Sequence, residues 1–282
     1  MAKKRKRTIV GSPLTPAMLD EMEIIPDFPP QNDQFQPEKN WVNTYRVWTC
    51  HGYRKSGNTD QGVLKIERLN SNTADTFTLK VSQQIIHDMG QVNLIHADIL
   101  CKNDQIASPL EWSLESEFIG PDGNVKPELT VDEKARNRDG NIKVKSAGFT
   151  YDRQGSEKLS GDWCLFEAIQ RFDFNKKPTI TFDLYEGLSL LRENHQLFYR
   201  GLYPWQQDGK EVTLHWFQQL GQGVLPYEYW LDENHRMIMA VTLSRVYILD
   251  EQAGQKMKKT LDGKQRYYQR KLKDIKGGRE NE

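Results

Sequence analysis

The sequence has few cysteines and lacks any long apolar run. Only Cys50, Cys101 and Cys164 occur in 282 residues, widely spaced and without a C-x-x-C pair. Such a set argues against a disulfide framework and against a cysteine-rich zinc site. No segment approaches the roughly 18 apolar residues that a transmembrane helix needs. The basic start is not followed by the apolar stretch of a secretion signal, so we expect a cytoplasmic protein, or an exported one if a native signal peptide is absent from this chain.

The common signatures of enzyme chemistry are also missing. The sequence contains no phosphate-binding loop, no dinucleotide-binding glycine motif, no H-E-x-x-H and no G-x-S-x-G. Its six histidines are scattered without the spacing of metal ligands. We therefore predict no catalytic residue, no metal site and no cofactor, and the sequence favours a function other than catalysis.

What the sequence does contain is a two-residue alternation of apolar and polar side chains. Phe77, Leu79 and Val81 alternate with Thr78 and Lys80, as in a strand with one buried face. The same rhythm recurs over 111–118, 141–145, 179–184 and 211–216, and less regular strands are predicted over 42–50, 62–69, 92–101, 196–203, 223–231 and 236–249. Asp-Gly pairs at 122–123, 139–140 and 208–209 supply tight turns between them. The prediction is a mainly β protein, a curved antiparallel sheet or barrel of about ten strands, with one or two short covering helices.

The first of these helices is predicted near 162–172. Leu165, Ala168, Ile169 and Phe172 recur there at helical spacing, and Ser160 or Asp162 could cap the segment. A helix with a wide apolar stripe is suited to closing the open end or the edge of a curved sheet. A weaker helical pattern covers 185–193, and the polar region 121–141 is expected to be a long excursion between strands.

Three regions are expected along the chain. Residues 1–40 hold six prolines and are predicted to be an extended, largely disordered arm, 41–250 to be a single β-rich domain, and 251–282 to be a basic tail that could be helical. Lys3–Arg7 and the 256–276 tail concentrate positive charge, while the whole chain balances at 39 basic and 39 acidic residues. The body is therefore net acidic, and the basic ends are candidates for contact with a polyanion.

The aromatic-dense stretch from Leu197 to Trp230 is the most promising place for a binding site. Alternation puts Trp216 on one face with Val212 and Leu214, which predicts that this face is core, and puts His215 on the opposite face. The predicted ligand-binding residues are Tyr199, Arg200, His215, Tyr227, Glu228, Tyr229, His235 and Arg236.

Three functions remain open at this stage. The first is a non-catalytic binding domain that holds a lipid-like or saccharide ligand on a concave, aromatic-rich sheet. The second is a carbohydrate-active enzyme that uses residues of the 199–236 region. The third is a polyanion-binding or assembly protein that acts through its basic termini.

Overall fold

A computed structural model of the chain describes residues 15–17, 34–49, 59–87, 89–207, 210–222, 224–242 and 245–279. Strands dominate these residues, as the alternation predicts. They are β1 (Trp41–Thr49), β2 (Thr59–Asn70), β3 (Thr76–Ile86), β4 (Val92–Lys102), β5 (Pro109–Ile119), β6 (Val131–Arg138), β7 (Asn141–Ser146), β8 (Phe149–Gln154), β9 (Leu159–Gly161), β10 (Thr179–Glu186), β11 (Leu190–Gln207), β12 (Lys210–Leu220), β13 (Tyr227–Leu231), β14 (Met237–Thr242) and β15 (Arg245–Leu249). The helices are α1 (Asp162–Ala168) and α2 (Ala253–Arg279), with 3-10 turns at Pro127–Leu129, Ile169–Arg171 and Phe174–Lys176.

All fifteen strands belong to one sheet, in the order β8-β7-β6-β5-β4-β3-β2-β1-β15-β14-β13-β12-β11-β10-β9. The pairs thus join strands that are neighbours in the sequence, except that β1 pairs with β15. This one pair joins the half formed by β1–β8 to the half formed by β9–β15. The pairs are antiparallel apart from β9, which runs parallel to β10. The two end strands, β8 and β9, are consecutive, and the segment between them binds back on the sheet through Gly155 N, which donates to Gly140 O at 2.8 Å.

The concave side of this curved sheet is filled by α1. Trp163, Cys164, Leu165 and Phe166 are all buried in one core with side chains from both halves of the sheet. The Phe166 ring makes edge contacts with Tyr45, Tyr229 and Tyr247, at centroid distances of 5.4–6.2 Å. The prediction of a covering helix near 162–172 is confirmed, and its wide apolar stripe is explained by contact with strands on several sides.

A buried ion cluster fastens the same helix to β2. Glu167 accepts hydrogen bonds from Arg68 Nε at 2.8 Å and from Arg171 Nε at 2.6 Å, and the Glu167 side chain has no solvent exposure. Both guanidinium groups also lie near the Phe77 ring. The charges are therefore paired and hydrogen-bonded, as burial of ions requires.

The convex side of β11–β15 carries a second apolar cluster. Its buried members are Trp205, Leu214, Trp230, Met239, Val241, Val246 and Ile248. Val212 and Trp216 pack against this cluster, so they share a face with Leu214 as predicted, but that face belongs to the convex cluster and not to the larger core around α1. His215 and Phe217 point to the concave side instead. Both faces of these strands are buried, and alternation alone cannot tell which face meets the larger core.

Other details depart from the sequence predictions. The described residues form fifteen strands rather than about ten, partly because the supposed excursion over 121–141 contains β6. The helix expected over 185–193 is a hairpin, in which Gly187 and Leu188 take positive φ values of 56° and 53° between β10 and β11. Ser160 does not cap α1, because its hydroxyl donates to Ile106 O at 2.7 Å from within β9.

The C-terminal segment is helical. The first part of α2 packs on β1 and β2, with Ala253 and Met257 buried. Among the described residues, no helix has the length and apolar character that crossing a bilayer demands. Lys3–Arg7 and most of the proline-rich arm lie outside the described residues, and the division into three regions stays a prediction.

Candidate ligand-binding site

A cavity of about 390 Å³ lies on the concave side of the sheet, beside the start of α1. It is lined by Gln83 of β3, Ile95 of β4, Asp162, Trp163 and Phe166 of α1, Glu186 and Gly187 at the end of β10, Tyr227 and Tyr229 of β13, Thr242 of β14, and Arg245 and Tyr247 of β15. Residues far apart in the sequence meet here because the closure between β1 and β15 and the position of α1 bring both halves of the sheet together.

Two carboxyl groups form one wall of the cavity. The Asp162 Oδ1 atom accepts a hydrogen bond from Gly187 N at 3.2 Å, and burial, with the nearby Glu186 as a smaller cause, raises the Asp162 pKa to about 6. Glu186 accepts a hydrogen bond from the Tyr227 hydroxyl at 3.0 Å and pairs with Arg192. The wall is therefore acidic, with Asp162 largely ionised near neutral pH.

Five aromatic rings line the remaining wall. Trp163, Phe166, Tyr227, Tyr229 and Tyr247 are all buried. Burial is the first cause that raises the pKa of Tyr227, Tyr229 and Tyr247, and the charge of Asp162 adds to it in all three. The three phenols are consequently neutral hydrogen-bonding groups at any physiological pH.

The rim of the cavity carries one cation. Arg245 is half-buried, and its interaction with the Tyr247 hydroxyl lowers the Tyr247 pKa, against the larger effect of burial. Asp162, Glu186 and Thr242 are likewise only partly buried, which indicates that solvent reaches the cavity at this rim. The site thus combines an aromatic body with a small number of polar groups, as is typical of small-molecule sites.

A second aromatic assembly forms around Phe174, in the 3-10 turn at Phe174–Lys176, and holds three of the residues predicted from the sequence. His215 and His235 stack on the Phe174 ring at centroid distances of 3.7 and 4.0 Å, and the Tyr199 hydroxyl lies 2.9 Å from His215 Nδ1. Burial, helped by the charge of His235, lowers the His215 pKa to about 4. Both histidines are neutral at pH 7 and behave as packing groups in this assembly.

Glu228 and Arg200 lie on the convex side of the sheet, away from the cavity. Glu228 has no solvent exposure and accepts hydrogen bonds from Trp216 Nε1 and, at 2.7 Å, from Gln218 Nε2. Burial raises its pKa to about 7, although these two bonds and the charge of Arg200 act in the opposite direction. The Arg200 guanidinium lies 5.7 Å from the Trp216 ring centre.

A β-bulge explains why one aromatic stretch serves both sides of the sheet. The pairing of β11 with β12 shifts between Tyr199 and Gly201, so Arg200 is the extra residue. Tyr199 packs against the main core, whereas Tyr203 and Trp205, which have the same parity, belong with the convex cluster. The extra residue shifts the alternation of side chains by one position. Residues that are an even number apart therefore point to opposite sides of the sheet when the bulge lies between them.

Arg236 has a structural position. Its Nε donates to Asn43 Oδ1 at 3.0 Å and its Nη2 pairs with Glu251 at 3.2 Å.

Of the eight residues predicted from the sequence, the structure therefore brings only Tyr227 and Tyr229 to the cavity. Tyr199, His215 and His235 meet around Phe174, and Glu228 and Arg200 lie on the opposite face, so the residues of the 199–236 region do not converge on one catalytic centre.

Sequence reasoning missed most of the cavity. Asp162 is interpreted from the sequence only as a possible helix cap, Trp163 and Phe166 lie within the helix predicted near 162–172, and Glu186 falls in a segment expected to be helical. Arg245 and Tyr247 lie in a strand with no turn or motif to single them out. A signal did exist in Asp162, an acidic residue that directly precedes the apolar run of a helix expected to close the open end or the edge of the sheet.

Comparison with solved structures supports the architecture. The chain is similar to a crystal structure of a β-barrel-like protein of the domain of unknown function DUF1849 from Brucella abortus, with 13% identity and a TM-score of 0.51 over 75% of this chain and 96% of that chain. No protein-family model matches the sequence, and no curated protein does. The likeness shows a β-barrel-like fold and carries no information on a ligand.

Proposed function

We propose that the protein is a non-catalytic binding domain that holds a small ligand in the concave cavity. The observation that carries this proposal is the combination of five buried aromatic side chains and two carboxyl groups around about 390 Å³ of space. That volume lies within the range of roughly 300–1,000 Å³ that small-molecule sites occupy. The β-barrel-like architecture is compatible with this function because a curved sheet leaves such a space on its concave side.

The lining favours a ligand with both an apolar face and polar groups. Aromatic rings can stack on the apolar face of a saccharide ring, while Asp162 and Glu186 accept hydrogen bonds from its hydroxyl groups. A purely alkyl lipid-like chain would meet the rings but would desolvate the carboxyl groups without compensation. Between the two ligand classes suggested by the sequence, the cavity favours the saccharide or a similarly amphipathic small molecule.

Filling the cavity tests this proposal. Thr242→Trp places a large side chain at the rim, and Thr150→Trp makes the same change at an exposed position of β8 as a matched control. Native mass spectrometry of the purified proteins detects any co-purified small molecule, and calorimetric titration with methyl glycosides and with medium-chain fatty acids measures binding. We expect wild type and Thr150→Trp to bind and Thr242→Trp to lose binding by at least tenfold. Equal binding by all three proteins contradicts the proposal, and so does a wild type that neither co-purifies with a small molecule nor binds any titrated compound.

A second function, binding of a polyanion, is favoured by the exposed surface of α2. Lys258, Lys259, Arg266, Arg270 and Lys271 are all exposed on this helix. Several cations close together give salt-dependent affinity for phosphate or sulfate groups without sequence preference. This observation supports the role that the sequence suggested for the 256–276 tail.

Charge reversal distinguishes this function from a merely solvated helix. The triple variant Lys258→Glu, Lys259→Glu and Arg266→Glu should elute from heparin at a lower salt concentration than wild type does. Glutamate at 136, 143 and 145, on the exposed face of β6 and β7, is the matched control with the same change in net charge. If both triple variants elute at the same salt concentration, only net charge matters and α2 is not a specific polyanion site.

A further inference from the structure

We propose that the ligand of the concave cavity carries a protonated amine or quaternary ammonium group, held between the acidic wall and the aromatic rings. This inference rests on the proposed binding function and names the chemical class of the ligand. It depends on which charges of the wall already have partners and on what surrounds them.

Glu186 already has its own partners. Its carboxylate pairs with Arg192 and accepts a hydrogen bond from the Tyr227 hydroxyl. This charge is therefore largely compensated within the protein. Its effect on the cavity is to keep a second negative group beside Asp162.

Asp162 is different, because the groups that stabilise its carboxylate are backbone amides. They are the N–H groups of Gly187, Trp163 and Asp162 itself. Within the part of the chain that the structure describes, no lysine or arginine forms an ion pair with Asp162. A carboxylate in an aromatic cavity without a cationic partner can be stabilised by a cation that the ligand brings.

The aromatic rings favour the same charge. Trp163, Phe166, Tyr227, Tyr229 and Tyr247 line the cavity, and the faces of such rings attract cations through their quadrupoles. Rings grouped around an ammonium ion, with a carboxylate nearby, form the arrangement used for quaternary ammonium and methylated amine ligands. An uncharged ligand would make apolar contacts with the rings but would not gain the attraction between a cation and the ring faces.

Arg245 on the rim is the feature that acts against a cation. It interacts with the Tyr247 hydroxyl, and the charges of Arg245 and Asp162 shift the Tyr247 pKa in opposite directions. Tyr247 therefore feels both charges. An amine would lie against the Asp162 carboxylate, whereas an anionic ligand would have to lie at Arg245.

A matched set of three small probes tests the inference. 2-Phenylethylamine, 2-phenylethanol and phenylacetate share one aromatic ring and differ in charge, and calorimetric titration at pH 7.5 gives their Kd values. We expect the amine to bind at least tenfold more tightly than the alcohol, and phenylacetate to bind most weakly. Asp162→Asn should reduce the advantage of the amine over the alcohol to less than threefold while the alcohol affinity stays the same.

Two further variants keep the test decisive. Asp98→Asn removes an exposed carboxylate on the other side of the sheet and should leave all three affinities unchanged. Glu186→Gln provides a second test of the negative charge in the wall if Asp162→Asn fails to fold. This variant should weaken amine binding severalfold.

The outcomes separate this inference from the proposed function. If amine and alcohol bind wild type equally, or phenylacetate binds most tightly, the charge preference is refuted while the cavity remains a binding site. If none of the three probes binds, the inference is overturned. Binding of glycosides that Thr242→Trp abolishes would then still uphold the function itself.

Discussion

Removal of the buried charge on Glu167 should be among the most damaging isosteric changes in this protein. The Glu167 carboxylate has no exposure and lies within hydrogen-bond distance of Arg68 and Arg171. Glu167→Gln keeps the shape of the side chain but leaves two guanidinium groups in the core without their common anion. The Gln amide nitrogen would also face donors where an acceptor is needed.

The size of the effect follows from the burial of the partners. Loss of one member of a buried ion pair costs about 3–5 kcal/mol, because the remaining charge stays desolvated. Backbone carbonyls offset part of this cost, since Arg68 Nη1 donates to Glu38 O at 2.8 Å and Arg171 Nη2 to Asp104 O at 2.7 Å. We therefore expect a loss of about 3 kcal/mol, near the lower end of that range.

Urea unfolding followed by circular dichroism measures this loss against a matched control. Glu111→Gln breaks a pair of similar length, with Arg136 Nε at 2.8 Å, but both side chains are about half exposed, at 48% and 54%. An exposed pair contributes less than about 1 kcal/mol. If Glu167→Gln lowers the free energy of unfolding no more than Glu111→Gln does, the cluster does not anchor α1 and the reasoning fails.

Three other changes have expected outcomes that the same unfolding experiments can check. Glu228→Gln should abolish a loss of stability on the order of 1–3 kcal/mol that wild type undergoes between about pH 4.5 and 7, because the raised pKa of the carboxyl means that stability present below pH 4.5 is lost as pH rises through about 7; an unchanged pH profile would refute this. His215→Phe should reduce the loss of stability on acidification from about pH 6.5 towards 4, since the lowered histidine pKa makes protonation favour the unfolded chain; a fall as steep as that of wild type would count against it. Gly62→Ala should be strongly destabilising because its Cβ would lie 1.9 Å from the Gln84 carbonyl oxygen, whereas Gly254→Ala, with open space around it on α2, should be neutral or stabilising; similar values for the two would show that β2 and β3 separate without cost.

Much of the architecture could be predicted from local patterns. Phe77, Leu79 and Val81 lie in β3, and the helix expected near 162–172 is α1 followed by a 3-10 turn. These predictions succeed because the spacing of apolar residues determines which side chains share a face of a strand or helix, and that spacing can be read from the sequence alone. The predicted strand count is too low because polar strands such as β6 and β8 lack a strong apolar rhythm.

The site could not be predicted in the same way. Alternation places Tyr227 and Tyr229 on one face of β13 and Glu228 and Trp230 on the other, but which pair meets the cavity depends on closure of β1 against β15. Beyond the bulge at Arg200, residues of equal parity point to opposite sides. A site predicted from residues close together in the sequence therefore contains residues that lie on opposite faces of the folded sheet. It does not contain Asp162, which lies on α1 outside the 199–236 region.

The helix α1 links the stability of the fold to the properties of the cavity. Its first residues, Asp162 and Trp163, form part of the cavity wall, and Glu167 one to two turns later is fixed to β2 through Arg68. A ligand in the cavity touches this helix on one side and β13 and β15 on the other, so it binds only when the helix is packed inside the sheet. Ligand binding must then add to the same free energy of unfolding that the Glu167 cluster supplies, by an amount that grows with the logarithm of ligand concentration over Kd. The cavity and the Glu167 cluster thus form one cooperative unit, in which the residues proposed to recognise a ligand are held in place by charges outside the cavity lining.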